Sequence, residues 1–154
     1  MSGSTLVFGW GNPSRGDDAL GPVFVERMQH LESTHPEWGR LDFQTDFQLQ
    51  VEHALDMRGH SRVLFVDASA TCPAPFSLLA LSPAKDASFT THAMTPQALL
   101  HAYTELEKES PPPAWLLAIR GERFELGDAL SPAAEQHLQA ALAWVDNWLT
   151  SGIR

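Results

Sequence analysis

Cysteine is nearly missing from this chain: Cys72 stands alone among 154 residues. A single thiol excludes an internal disulfide and any cysteine-based zinc cluster, and it fits a reducing compartment. Positive charge is scarce as well. Ten Lys and Arg stand against nineteen Asp and Glu, giving a formal net charge of -9, so the surface repels phosphate backbones and offers no basic stripe for nucleic acid. No apolar run approaches the roughly 20 residues that span a bilayer, and Met1-Ser2-Gly3-Ser4-Thr5 has no basic leader character. The expectation is a cytoplasmic protein with no membrane and no nucleic-acid partner.

Several catalytic signatures are also lacking. Gly9-Trp10-Gly11 is followed neither by the third glycine of a dinucleotide fingerprint nor by Gly-Lys-Ser or Gly-Lys-Thr, which argues against a nucleotide site. Ser14 and Ser69 sit outside any Gly-x-Ser-x-Gly elbow, which disfavours serine hydrolysis. Cys72 follows an apolar strand and falls near the strand-end cleft, but no fitted basic partner is identifiable for it as a nucleophile.

What is present is an alternation of strands and helices in a chain that is 44% hydrophobic, enough for one core and one domain spanning residues 1–154. Thr5 to Phe8 reads as a strand broken by Gly9-Trp10-Gly11-Asn12-Pro13. From Asp17 onward, Leu20, Val23, Phe24, Arg27, Met28 and Leu31 keep helical spacing. Leu41 to Thr45 is a weaker strand, and Val51, Ala54, Leu55 and Arg58 read as a helix closing at Gly59. Arg62 to Asp67 has the continuous apolar character of a central strand covered on both faces. Phe76 to Leu81 is a further strand, and a helix with an inward stripe of Leu99, Ala102, Tyr103 and Leu106 follows the Thr90-Thr91-His92 turn. After Pro111-Pro112-Pro113 come a strand, Ala114 to Ile119, and a C-terminal helix marked by Ala134, Leu138, Ala141, Leu142, Val145, Trp148 and Leu149. Such βαβ alternation predicts an α/β fold: a three-layer αβα sandwich around a mostly parallel, twisted sheet of about five strands. Trp115, Trp144 and Trp148 are expected in the core, whereas Trp10, in the glycine loop, is expected to line the cleft.

Ligand sites in such sheets lie beyond the carboxyl ends of the strands. Asp18, Asp67 and His92 are all expected there, and two carboxylates with one imidazole form an oxygen and nitrogen set suited to a divalent transition metal. Asp67 carries the most weight, because a carboxylate ending an apolar strand must be solvated, hydrogen-bonded or bound to a cation to offset its desolvation. Asp17 and Asp18 admit a second role, satisfying the exposed amides of a helix start. The other six histidines, His53 among them, are expected in solvated or packed roles.

Val7-Phe8-Gly9-Trp10-Gly11-Asn12-Pro13, followed by Gly16-Asp17-Asp18-Ala19-Leu20-Gly21-Pro22, closely resembles the opening signature of the nickel-iron hydrogenase maturation endopeptidases. Val63-Leu64-Phe65-Val66-Asp67-Ala68 is similar to the family's strand ending in Asp-Ala, and Thr91-His92 followed by Leu99-Leu100 looks like its histidine loop and helix. The resemblance implies a peptidase that removes a C-terminal extension from the precursor of a hydrogenase large subunit after nickel insertion. Asp18, Asp67 and His92 would be the catalytic and nickel-engaging groups, with nickel carried by the nickel-loaded precursor and no tightly bound cofactor. Asp46 matches another acidic position near the cleft, although Asp46-Phe47-Gln48-Leu49 stands where the family often has Asp-Gly-Gly-Thr. Two alternatives use the same residues. One is a non-catalytic module that checks an assembling hydrogenase for metal. The other is a receiver-like phosphoacceptor domain holding Mg²⁺, which the glycine loop before Asp17 and the nitrogen ligand of His92 disfavour. Client specificity is expected in the polar loops 35–40 and 82–88.

Overall fold

The computed structural model describes residues 3–85 and 94–151. Among these residues five strands form one sheet: β1 (Ser4–Trp10), β2 (Arg40–Asp46), β3 (Arg62–Ser69), β4 (Phe76–Ala80) and β5 (Ala114–Arg120). Their spatial order is β2-β1-β3-β5-β4, parallel throughout except for β4, which runs antiparallel to β5. The connection from β3 to β4 is too short for the dozen or so residues a parallel crossover needs, so β4 must return alongside in the opposite sense.

Among the described residues three α-helices and three 3₁₀ segments accompany the strands. Helix α1 (Leu20–Glu32) follows a 3₁₀ turn at Gly16–Ala19, and α2 (Pro96–Glu107) and α3 (Pro132–Thr150) precede and follow β5. Sequence chemistry fixes the starts of the last two. Thr95 accepts the Ala98 amide at 3.0 Å and Ser131 accepts the Ala134 amide at 3.1 Å, each with proline at the first helical position, where no N–H is needed. Lys108, at φ +58°, ends α2 in the left-handed conformation.

Two clusters sandwich the sheet. One face packs Val7, Leu64, Val66 and Leu117 against Phe24 and Met28 of α1 and Leu138, Val145 and Trp148 of α3. The other packs Leu6, Phe8, Val63 and Phe65 against Leu99, Leu100 and Tyr103 of α2 and Met57 of the second connection. The period-two alternation of β1 and β3 divides their side chains between these clusters, so helices cover both faces and the three layers follow. Burying each large side chain such as Phe65 contributes about 1.5–3 kcal/mol.

Several local readings change. The segment after β2 is a 3₁₀ helix, Val51–Met57, which buries His53, Ala54 and Met57 and leaves Val51 and Leu55 exposed. Ala54 and Met57 are three apart, which matches the three-residue turn of that helix. In α2 the buried stripe takes Leu100 in place of Leu106, which is exposed. β1 continues two residues beyond Phe8, so Trp10 points to the same face as Leu6 and Phe8 and packs edge-on against Phe65 at 6.0 Å. Trp10 is thus a core ring and does not line the cleft. Trp115, Trp144 and Trp148 gather under α3, with Trp144 stacked on Trp148 and Trp115 edge-on to it, both at 5.4 Å, and the Arg62 guanidinium lies 4.3 Å from the Trp148 ring. Among the described residues no helix is long and apolar enough to cross a membrane.

Candidate active site

The strand order reverses at β1: α1 carries the chain to β2 on one side, and the 3₁₀ connection brings it back to β3 on the other. A crevice opens beyond the carboxyl ends at such a switch point. Asp18 enters it from the loop after β1, and Asp67 from the end of β3. Gly11 holds the loop tight. Its φ is +148°, and a Cβ there would lie 1.9 Å from the Asp18 carbonyl oxygen, so a side chain would push the Asp18 turn outward. The Asn12 amide then donates to Asp18 Oδ2 at 2.7 Å, and Asn12 Oδ1 accepts the Ser14 amide at 2.8 Å.

Asp67 is half-buried, and the protein around it withholds much of its hydration. Desolvation pushes its carboxyl up to about 7, the Ala68 amide at 2.8 Å opposes this in part, and the nearby charge of Asp18 adds to the rise. Asp18 and Asp67, separated in the chain, therefore share one electrostatic environment. A divalent cation bridging them would displace the proton and remove the repulsion. His92, the third group of the set, lies outside the described residues. Met94, two positions later, packs against the cluster that contains Trp10 and Phe65.

Asp17 and Asp18 divide their labour. Asp17 is fully buried and accepts four hydrogen bonds: the Glu122 amide at 2.7 Å, the Arg123 amide at 3.0 Å, and the amide and hydroxyl of Ser131 at 2.7 Å each. Burial alone would raise its carboxyl, but these donors outweigh it and leave Asp17 below the usual carboxylate range. Asp17 thus anchors the loop before α3 to the turn that presents Asp18.

Asp46, at the end of β2 beside Trp10, is held by the His53 side chain, which the sequence did not single out, and by two backbone amides. Its Oδ2 lies 3.0 Å from His53 Nε2, its Oδ1 accepts the Phe47 amide at 2.7 Å, and its carbonyl accepts the Gly11 amide at 3.1 Å. His53 Nδ1 accepts the Gln50 amide at 2.9 Å, so the neutral ring carries its proton on Nε2 and donates it to Asp46. The ring is buried and meets Phe8 edge-on at 4.7 Å. Among the described residues Asp46 does not join Asp18 and Asp67 in a three-donor metal cluster. It lines, with Gly11, Pro13, Pro22, Thr45 and Phe47, a cavity of about 270 Å³ on the β2 side. Neither Asp18 nor Asp67 lines that cavity.

Ser69 and Cys72 make local contacts. Ser69 Oγ accepts the Thr71 and Cys72 amides at 3.2 and 3.0 Å, and Cys72 Sγ lies 3.5 Å from the Ala118 carbonyl, beside the strand position paired with Asp67. Cys72 is thus near the site, as expected, but among the described residues neither group has a histidine as hydrogen-bond partner. The receiver-like alternative also loses ground, since the antiparallel β4 at the sheet edge departs from an all-parallel order.

The fold and paired carboxylates define an α/β protein with an acidic site at the switch point of its sheet. That fold is the one seen in hydrogenase maturation proteases. The [NiFe] hydrogenase maturation protease HycI from Thermococcus kodakarensis KOD1 superposes with a TM-score of 0.71 at 16% identity, over 97% of this chain and 93% of that one. The hydrogenase maturating endopeptidase HybD from E. coli gives 0.67 at 21% identity, over 92% and 89%. An endopeptidase from Escherichia coli gives 0.70 at 21% identity, over 98% and 95%. No family model matches the sequence, and no curated protein matches it. The resemblance carried by the glycine loop and the Asp67 strand is thus met by the fold of the whole described chain.

Proposed function

We propose that this protein is an endopeptidase that removes the C-terminal extension from the large-subunit precursor of a nickel-iron hydrogenase, with Asp18, Asp67 and His92 engaging the nickel that the precursor carries. The observation that carries this reading is the pairing of Asp18 and Asp67 at one corner of the sheet, in a fold shared with proteins named as hydrogenase maturation proteases. Nickel is cargo of the substrate. Its chemical contribution when engaged would be Lewis-acid polarisation of the scissile carbonyl.

The chain's own groups account for the rest. Asp18 is aimed by the Asn12 amide and by the close approach of Gly11. Asp67, whose carboxyl burial raises to about 7, would have to give up its proton to hold the cation as a carboxylate. Among the described residues no histidine hydrogen-bonds Ser69 or Cys72, so water is the attacking group of this reading. His92 supplies the imidazole of the set by the family resemblance.

The test is incubation of the purified chain with nickel-loaded and nickel-free precursor, with both products weighed by mass spectrometry. Cleavage of the loaded form alone is the expected result. Equal cleavage of both defeats metal recognition, and cleavage of neither, with binding retained, replaces the peptidase with a checkpoint module.

A further inference from the structure

A second group of metal-ligating side chains lies toward the amino ends of the strands, away from the crevice, where α1 hands over to β2 and the last turns of α3 pass by. His35, Glu37 and Asp146 each bring a donor atom to within 4.8 Å of the others. From this geometry we propose a divalent-cation site of the zinc type that joins the α1–β2 connection to α3.

Groups outside the trio orient it. His35 Nδ1 lies 2.8 Å from the Leu31 carbonyl, an acceptor only, so Nδ1 carries the proton and Nε2 keeps its lone pair. Histidine ligands are commonly fixed in this way, by a carbonyl on the nitrogen that does not face the metal. The His35 ring is held flat on the buried Trp38 ring, with centroids 4.4 Å apart and planes at 18°. Trp38 in turn donates its indole N–H to Asp146 Oδ1 at 2.7 Å, which fixes the carboxylate and leaves Oδ2 without a protein hydrogen bond among the described residues. Trp38 thus positions two of the three donors at once.

The remaining valences are open. His35 Nε2, Asp146 Oδ2 and the Glu37 carboxylate carry no hydrogen bond to protein among the described residues. Two carboxylates and a neutral imidazole form a donor set of charge -2 that a dication neutralises. The nitrogen donor favours zinc and its neighbours over Mg²⁺ or Ca²⁺. Ligands about 2.0–2.1 Å from a tetrahedral zinc stand about 3.3 Å apart, so the trio must close somewhat on the ion, and the exposed Glu37 side chain is free to do so. Water completes the fourth position. The site is a fastener between two segments far apart in sequence, so a bound ion stabilises the folded chain by mass action.

Calorimetric titration of the metal-stripped full chain with zinc tests this, with cobalt absorption in the visible as a second readout. The Asp67→Asn variant is titrated alongside, to remove any contribution from the candidate active site. Both proteins are expected to bind zinc and to melt higher with it. His35→Ala and Asp146→Asn are expected to weaken binding by at least about tenfold and to abolish the thermal shift. Glu37→Gln, at an exposed position, is expected to weaken it by several-fold with the metal-free melting temperature kept. Zinc binding that survives in both His35→Ala and Asp146→Asn, or that disappears in Asp67→Asn, overturns the proposal. Either result leaves the peptidase reading untouched, since processing is measured separately.

Discussion

Asp17 grips Ser131 twice, at the amide and at the hydroxyl, each at 2.7 Å, and so locks the start of α3 to the turn that presents Asp18. Removing that carboxylate leaves the Glu122, Arg123 and Ser131 amides unpaired in a buried place. Asp17→Ala is expected to cost on the order of 2–4 kcal/mol in urea denaturation, with a smaller loss for Asp17→Asn. Because its folded proton affinity is lowered, the Asp17 contribution is fully present above the ordinary carboxylate value near 3.8 and fades as pH falls through the lower folded value. An Asp17→Ala protein as stable as the parent near neutrality removes the anchor.

Asp67 works in the opposite direction. Its folded value of about 7 lies above the unfolded 3.8, so the folded state holds more protons between them and stability falls as pH rises through that window. Asp67→Asn mimics the neutral form and is expected to be more stable than the parent at pH 8, on the order of 2 kcal/mol after allowing for partial exposure, with no difference at pH 4. The same variant is expected to lose precursor processing entirely. Parallel stability curves from pH 4 to pH 8 would remove the electrostatic basis of the site.

Gly21 opens α1 against the ends of two strands. A Cβ there would lie 2.5 Å from the Trp10 carbonyl and 2.7 Å from that of Val66, both backbone atoms that cannot step aside cheaply. Gly21→Ala is expected to destabilise by about 2 kcal/mol or more and to shift the turn that carries Asp18, so processing falls with stability. A neutral thermal melt for this variant would contradict the close packing.

The ion pair of Arg27 and Glu135 looks stronger than it is. Two hydrogen bonds at 3.0 Å join them, and the Arg27 hydrogen bonds hold Glu135 down at about 2. Both side chains are more than a third exposed, at 36% and 40%, so solvent screens the attraction. Arg27→Met is expected to cost less than about 1 kcal/mol, and less still in 1 M salt. A loss of several kcal/mol would mean that the pair is far better shielded from water than its exposure indicates.

How far the sequence could be read depended on the range of the interactions. Arg62 to Asp67 announced itself because a strand covered on both faces must be apolar along its whole length, and the carboxylate ending it marked the site. Asp17 was ambiguous because its partners, Glu122, Arg123 and Ser131, lie more than a hundred residues away, beyond any local pattern. The bond between His53 and Asp46 escaped notice for a related reason: it spans a strand end and a 3₁₀ turn, and no periodic spacing records such a corner. Trp10 was misplaced because glycine on either side of it reads as loop, whereas the β1 ladder pairs it with Asp46. The antiparallel sense of β4 was legible in principle, since no helix could fit between Ser69 and Phe76.

The crowding of Trp115, Trp144 and Trp148 beneath α3 gives the protein an uneven optical signature. Three of its five indoles stand close enough to couple as chromophores, so near-ultraviolet dichroism and emission report chiefly on whether the last helix is docked. Trp10 sits on the far side of the sheet against Phe65. An event confined to the acidic crevice would therefore register as a faint change over a bright and indifferent background, and loss of the terminal helix as an abrupt one.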